Sequence, residues 1–383
     1  MCDPIYINHI LHAKSPEHFI YKKIYKPTKH NKTYFKHQQV YIAKRFIMIM
    51  KISMAMCKQP LPPSPTLDFP PARFGPNMLT LNPYGPKDKV VVIMGATGTG
   101  KSRLSVDIAT RFRAEIINSD KIQVHQGLDI VTNKITSEES CGVPHHLLGV
   151  LPPEADLTAA NYCHMANLSI ESVLNRGKLP IIVGGSNSYV EALVDDKENK
   201  FRSRYDCCFL WVDVALPVLH GFVSERVDKM VESGMVEEVR EFFDFSNSDY
   251  SRGIKKAIGF PEFDRFFRNE QFLNVEDREE LLSKVLEEIK RNTFELACRQ
   301  REKIERLRKV KKWSIQRVDA TPVFTKRRSK MDANVAWERL VAGPSTDTVS
   351  RFLLDIASRR PLVEASTAVA AAMERELSRC LVA

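Results

Sequence analysis

No stretch of this 383-residue chain approaches the ~20 consecutive apolar residues that a membrane-spanning helix needs. Its eight cysteines include no Cys-x-x-Cys pair, and the adjacent Cys207 and Cys208 are poorly placed to bond each other. Zinc-ligand spacing is therefore missing, and reduced thiols in an intracellular protein are the expectation. There is no internal repeat. Acidic residues are scarce in one region only. Residues 1–88 hold thirteen Lys/Arg against four Asp/Glu, whereas residues 89–383 hold forty-four against forty-three. The formal charge of +10 thus belongs to the first quarter of the chain, and the remainder is nearly neutral. The basic total is accordingly weak evidence for nucleic-acid binding.

What is present divides into four segments. Residues 1–47 are rich in Lys, Ile, Tyr, His, Phe and Asn and have no period. They read as translated upstream sequence with Met48 or a later Met as initiator; a basic, acid-poor targeting arm is the other reading. Residues 48–88 are Pro-rich, the composition of a leader, linker or part of a plastid transit peptide. From Lys89 short apolar runs alternate with helical stretches. Strands are expected at Val90–Met94, Glu115–Asn118, Leu179–Val183 and Phe209–Val214, and helices near 101–112, 158–176 and 217–232. That alternation predicts an α/β fold, a parallel sheet with helices on both faces. A long amphipathic helix follows over 277–309, with an apolar stripe that includes Leu281, Val285, Ile289 and Ile304. After Arg317 the pattern becomes less regular, and residues 359–383 form an Ala-rich tail.

The strongest signal is Gly95-Ala96-Thr97-Gly98-Thr99-Gly100-Lys101-Ser102. It lies between a strand and a helix, the context in which this pattern is a phosphate-binding loop. Loop and helix N–H groups surround a di- or triphosphate, Lys101 adds a point charge, and the Ser102 hydroxyl can hold Mg²⁺. Asp120 follows the second strand, at the end of the sheet where ligands bind. It reads either as a proton acceptor beside the loop or as a turn residue capping the next segment. Gly184-Gly185 permits close backbone approach to a ligand, but a tight turn needs the same residues. His145-His146 lacks metal partners, so a structural or substrate-contacting role is expected. Lys290, Arg299 and the basic run 301–312 read as a solvated face, with Glu302–Arg306 and Glu305–Lys309 as i,i+4 pairs. Asp213 ends an apolar strand, as the Mg²⁺ carboxylate of an ATPase does, and could equally belong to the core.

Taken in order, the motifs resemble the isopentenyltransferases that prenylate N6 of adenine. They are GATGTGKS (95–102), INSDKIQVHQGLDIVTNK (117–134), GVPHHLLG (142–149), LPIIVGGSNSY (179–189), KKAIGF (255–260) and IKRNTFELACRQ (289–300). The wording is most similar to the plant adenylate isopentenyltransferases of cytokinin synthesis, and from Met48 to their plastid-type third member. The resemblance implies a P-loop NTPase-like sheet with a helical C-terminal part, and a transferase domain over 89–358. It implies that the loop and Lys101 hold the diphosphate of dimethylallyl diphosphate. Asp120 would take the proton from N6 of ADP or ATP, with Thr97 in the same catalytic set. Mg²⁺ on Ser102 is the implied cofactor. Ser186, Ser188, Tyr189, Lys290 and Arg299 are softer substrate-binding candidates. Cys141 stands where relatives often have Arg, which puts a phosphate contact from that position in doubt.

Members of this family that act on tRNA carry a helical insertion of several dozen residues after the GG-x-x-x-Y motif. Here only Val194–Phe201 separates Leu193 from Arg202. The free-nucleotide class is therefore expected, with no stable nucleic-acid partner, and tRNA dimethylallyl transfer is the alternative. The last four residues, Cys380-Leu381-Val382-Ala383, fit a C-a-a-X box. Farnesylation of Cys380 by a protein farnesyltransferase would give weak membrane association. It would add a cytoplasmic or nuclear location to the expected plastid one.

Overall fold

The computed structural model describes residues 87–195, 200–325 and 330–359. The readings placed on residues 1–47, on the leader up to Pro86, and on the tail with Cys380 lie outside the described residues.

Apolar runs build the sheet. Among the described residues, six strands pair: β1 (Asp88–Gly95), β2 (Ala114–Asn118), β3 (His145–His146), β4 (Leu179–Val183), β5 (Tyr205–Asp213) and β6 (Ile315–Asp319). Their order is β3-β2-β4-β1-β5-β6, and every pairing is parallel. A parallel sheet covered on both faces needs strands apolar on both sides, and β1 supplies Val90 to Met94 without interruption. Val91 and Ile93 face one core; Val90, Val92 and Met94 face the other.

Helices close both faces. The first core takes side chains from α1 (Lys101–Phe112). The second takes them from α2 (Ala159–Asn175) and α3 (Asn187–Val194). Further elements are α4 (Leu216–Glu232), α5 (Met235–Phe242), α6 (Val275–Lys309), α7 (Lys330–Trp337) and α8 (Gly343–Arg359). The region past Arg317, where the sequence pattern is less regular, is largely helical, as the expected helical C-terminal part requires, and Trp337, Val341 and Val349 join the first core. Its polar residues hide the period because they meet other side chains. Arg111 on α1, for example, binds both Glu338 and Thr346.

A third core lies beyond the sheet. Phe260, Phe263, Phe266 and Phe267 pack with Leu128, Met235, Val239, Val285 and Ile289. Helix α6, 35 residues and about 52 Å long, serves all three cores. Val285 and Ile289 lie in the third, Ala297 in the first, and Ile304 and Leu307 in the second. Its ends match the helix dipole. Asn274 caps it by accepting from the Asp277 N–H, acidic Glu276 and Asp277 occupy the first turn, and Arg306, Arg308 and Lys309 the last. The Glu305–Lys309 pair forms, and Arg306, though exposed, binds Glu191 on α3, so the solvated face also ties α6 to α3.

Candidate active site

Three strand ends meet in one crevice. β1 runs into the phosphate loop, β2 into Asn118-Ser119-Asp120, and β4, which lies between them, into Gly184-Gly185. The glycine pair is the floor that lets the flanking loops approach. A Cβ at Gly184 would stand 2.2 Å from the Ser119 backbone, and one at Gly185 would stand 2.4 Å from Gln300 Nε2. No side chain fits at Gly184, where the obstacle is backbone; at Gly185 a methyl would have to displace the end of the Gln300 side chain.

The loop itself follows its sequence. Gly98 and Gly100 have φ of +83° and +93°, a conformation that costs other residues energy. Gly100 leads into α1, whose first N–H groups receive no side-chain cap and are left for a ligand. Thr99 Oγ1 and Lys101 Nζ both donate to Ala96 O, at 2.9 and 2.6 Å. Burial lowers the Lys101 ammonium to about 8; the negative charge of Asp120 opposes this and the positive charge of Arg226 adds to it. Thr97 is held from two sides. Its N–H donates to Gln300 Oε1 at 2.7 Å, and its hydroxyl accepts from Arg226 Nη2 at 3.0 Å.

Asp120 combines its two sequence readings. Oδ1 accepts from the N–H groups of Ile122 and Gln123, at 2.9 and 3.4 Å, as a turn residue does. Oδ2 accepts no hydrogen bond among the described residues and lies against Gly185. One oxygen fixes the carboxylate and the other is left to work. Asn118 steadies the turn by donating to Leu147 O at 3.0 Å.

The loop and Asp120 open on a single cavity of about 700 Å³, within the range of small-molecule sites. Lys101, Ser102, Asp120 and Arg226 supply its polar wall, and Val131, Met235, Ile258 and Phe324 are among its apolar lining. The softer candidates divide. Arg299 lines the cavity and pairs with Glu295 at 3.3 Å. Lys290 is bound to Asp228 and Glu287, at 2.8 and 2.9 Å, and is not in the lining. Ser186 accepts from the Lys121 N–H at 2.9 Å, Ser188 is exposed, and the Tyr189 hydroxyl donates to Leu157 O at 2.5 Å. None of these three lines the cavity. His145 lines it; burial lowers its pKa. His146 instead binds the buried Glu115 at 2.6 Å. Cys141 is exposed.

Asp213 answers the open question at the end of β5. It is 1% exposed and binds Arg301 at 3.2 Å and Arg317 at 2.7 Å, so its carboxylate is committed to the core. Ser102 remains at the head of α1, in the cavity wall. That fits Mg²⁺, which takes one or two protein ligands and completes its shell with phosphates and water. Among the described residues no cluster of three or more His, Cys, Asp or Glu could hold a metal, and no helix is long and apolar enough to cross a membrane.

Sequence reasoning missed Arg226, Gln300 and Trp337. Trp337 lines the cavity, packs against Gly100, donates to Asp107 Oδ2 at 2.7 Å, and lies 4.6 Å from the Arg103 guanidinium. The only available signals were a Gln inside a recognised motif and two residues outside any motif.

A phosphate loop facing a free carboxylate across a shared cavity is the arrangement of an enzyme that handles a phosphorylated ligand. The IPP transferase family profile matches residues 123–204 and 195–306. Adenylate isopentenyltransferase 5, chloroplastic, of Arabidopsis thaliana is 58% identical over 73% of this chain and 84% of its own length. Adenylate isopentenyltransferase 7, mitochondrial, of the same plant is 53% identical over 70% and 81%. The chain belongs to the adenylate isopentenyltransferase family. These matches do not single out the plastid-type third member. The tRNA dimethylallyltransferase 2 of Arabidopsis thaliana is a more distant relative, 26% identical over 70% of this chain and 80% of its own length. The fold is also that of solved tRNA-modifying enzymes. A eukaryotic dimethylallyltransferase acting on tRNA aligns with TM-score 0.57 at 22% identity, over 73% of this chain and 82% of its own. The tRNA isopentenylpyrophosphate transferase of Staphylococcus epidermidis aligns with TM-score 0.54 at 22%, over 69% and 99%.

Proposed function

We propose that this chain transfers the dimethylallyl group of dimethylallyl diphosphate to N6 of ADP or ATP, and of AMP less readily, releasing diphosphate. This is the first step of cytokinin synthesis. One observation carries the reading: the free Oδ2 of Asp120 and the phosphate loop open on the same cavity across the Gly184-Gly185 floor.

The chemistry follows from the residues. Diphosphate leaves readily once its charge is neutralised. Lys101, the uncapped N–H groups of α1 and the guanidinium of Arg226 all bear on that end of the cavity. The N6 amine is a weak nucleophile, so orientation and proton removal control the rate. Its lone pair attacks C1 of the prenyl group, the C1–O bond breaks in line, and diphosphate leaves with the electron pair. Asp120 Oδ2 accepts the N6 proton. Mg²⁺, held by Ser102, would supply further charge neutralisation on the diphosphate.

The short link between α3 and β5 supports a free nucleotide over tRNA as acceptor, since it spans only residues 195–204. A plastid location agrees with the Pro-rich leader and with the chloroplast relative. Farnesylation of Cys380 would add a second location, and the mass of the C-terminal peptide from plant cells tests it. The decisive experiment incubates the protein and Mg²⁺ with dimethylallyl diphosphate and, separately, AMP, ADP, ATP and tRNA. N6-prenylated ADP or ATP is expected. Product on tRNA alone would overturn the assignment.

A further inference from the structure

Helix α6 crosses the mouth of the sheet and sends one side chain into the gap between the two catalytic loops. That side chain is Gln300, 8% exposed. Its Oε1 accepts from the Thr97 N–H at 2.7 Å, and its Nε2 donates to Gly185 O at 3.0 Å. Its backbone carbonyl accepts from Asn187 Nδ2 at the start of α3, at 3.0 Å. The next residue, Arg301, anchors the helix to Asp213 at the end of β5. Both polar ends of the amide are therefore used, one on each side of the crevice.

We propose that Gln300 is a positioning residue that sets the spacing between the phosphate loop and Asp120, and with it the distance from the donor carbon to the N6 amine. The inference rests on the transferase reading above. An amide suits the task because it carries an acceptor and a donor on one rigid plane, at opposite corners. The acceptor binds the third residue of the loop; beyond it the Thr99 N–H donates to Ala96 O at 3.4 Å, and the uncapped N–H groups at the head of α1 are left for diphosphate. The donor holds the carbonyl of Gly185, the residue against which Asp120 Oδ2 lies. A carboxylate in this place could not donate, and an ammonium could not accept. Because Gln300 touches protein groups on both sides, it acts on geometry more than on the affinity of either substrate. A misplacement of about 1 Å between reacting groups costs roughly 10²-fold in rate.

Two variants test this from opposite sides. Gln300→Leu removes both hydrogen bonds and keeps most of the volume. Gly185→Ala leaves Gln300 intact but puts a methyl 2.4 Å from Nε2, which must move. The backbone of Gly185 is not left-handed, so the methyl acts mainly through that contact. Melting temperature, binding of inorganic diphosphate and of ADP, and steady-state kcat and KM are measured on the full chain. The expected result is a kcat reduced about 10- to 100-fold, with both affinities and both KM values within about threefold of the parent. A folded variant whose kcat stays within about twofold overturns the proposal, as does a loss confined to KM or to diphosphate affinity. If Gln300→Leu does not fold, Gly185→Ala decides by the same criteria. If the unmodified protein prenylates no adenine nucleotide, the functional reading itself fails, and this inference with it.

Discussion

Arg226 donates from Nη2 to the hydroxyl of Thr97 at 3.0 Å, and no carboxylate pairs with it among the described residues. Its Nε is buried without a hydrogen-bond partner. Burial pushes its pKa down to about 10. A cation half-buried in the cavity wall without a carboxylate partner is costly, and it becomes favourable when an anion arrives. The donor diphosphate is that anion. Arg226→Met should therefore lower kcat/KM for dimethylallyl diphosphate by about 10²- to 10³-fold and weaken diphosphate binding. The folded state should become no less stable, because a charge without a counterion is removed. Denaturant melts and diphosphate titration check the two halves separately.

Asp120 is expected to behave differently. Asp120→Ala removes the proton acceptor but leaves the loop cations in place. Transfer should fall by about 10²- to 10⁴-fold, while inorganic diphosphate binds as before. Substantial remaining turnover would refute the role of base. The turn that Oδ1 caps also opens, so Asp120→Asn is the cleaner partner variant. Its side-chain oxygen can still accept from Ile122 and Gln123.

Much of this arrangement was legible in the sequence, and the physical reason is local. Val90–Met94, Leu179–Val183 and Phe209–Val212 are continuous apolar runs, and a parallel sheet requires those. The loop's glycines announce their positive φ. What stayed hidden depends on distance along the chain. Gln300 reaches Thr97 across 203 residues and Arg226 across 129, so no window of sequence holds both partners. Strand β3 is two residues long, and β6 alternates little because its middle is exposed, so neither shows a strand pattern. The third core draws on Phe260, Phe263, Phe266 and Phe267, which lie at a single 3-10 turn and on a six-residue helix, elements too short to stand out in the sequence. Lys290 was legible as a charge, but its engagement with Asp228 on α4 was not.

Trp337 ties the C-terminal helices to the phosphate loop. Its ring lies where a Gly100 Cβ would stand, 2.7 Å away, and its Nε1 donates to Asp107. Trp337→Ala opens a large void and should cost about 3–5 kcal/mol. Trp337→Phe keeps most of the packing and loses the hydrogen bond, a cost of about 1 kcal/mol. Because the ring supports the turn from which α1 begins, the alanine variant should also raise KM for the donor. Urea midpoints and donor titrations at saturating ADP separate the two effects.

Glu115 tests a part of the fold away from the chemistry. Its carboxylate is buried and receives Arg176, Lys178 and His146, at 2.5, 2.8 and 2.6 Å. Burial alone would raise its pKa; the hydrogen bonds from these three groups outweigh it and hold the carboxyl down to about 2. The ordinary value is 4.5, so between about 2 and 4.5 the unfolded chain binds more protons than the folded one. Stability from this group therefore rises with pH across that window. It is fully present above 4.5 and is lost as pH falls toward 2. Glu115→Gln should cost about 2 kcal/mol at neutral pH and should flatten the acid limb of the stability profile. Urea unfolding at pH values on either side of the window measures both. An unchanged acid limb in the glutamine variant would show that the pH dependence arises elsewhere.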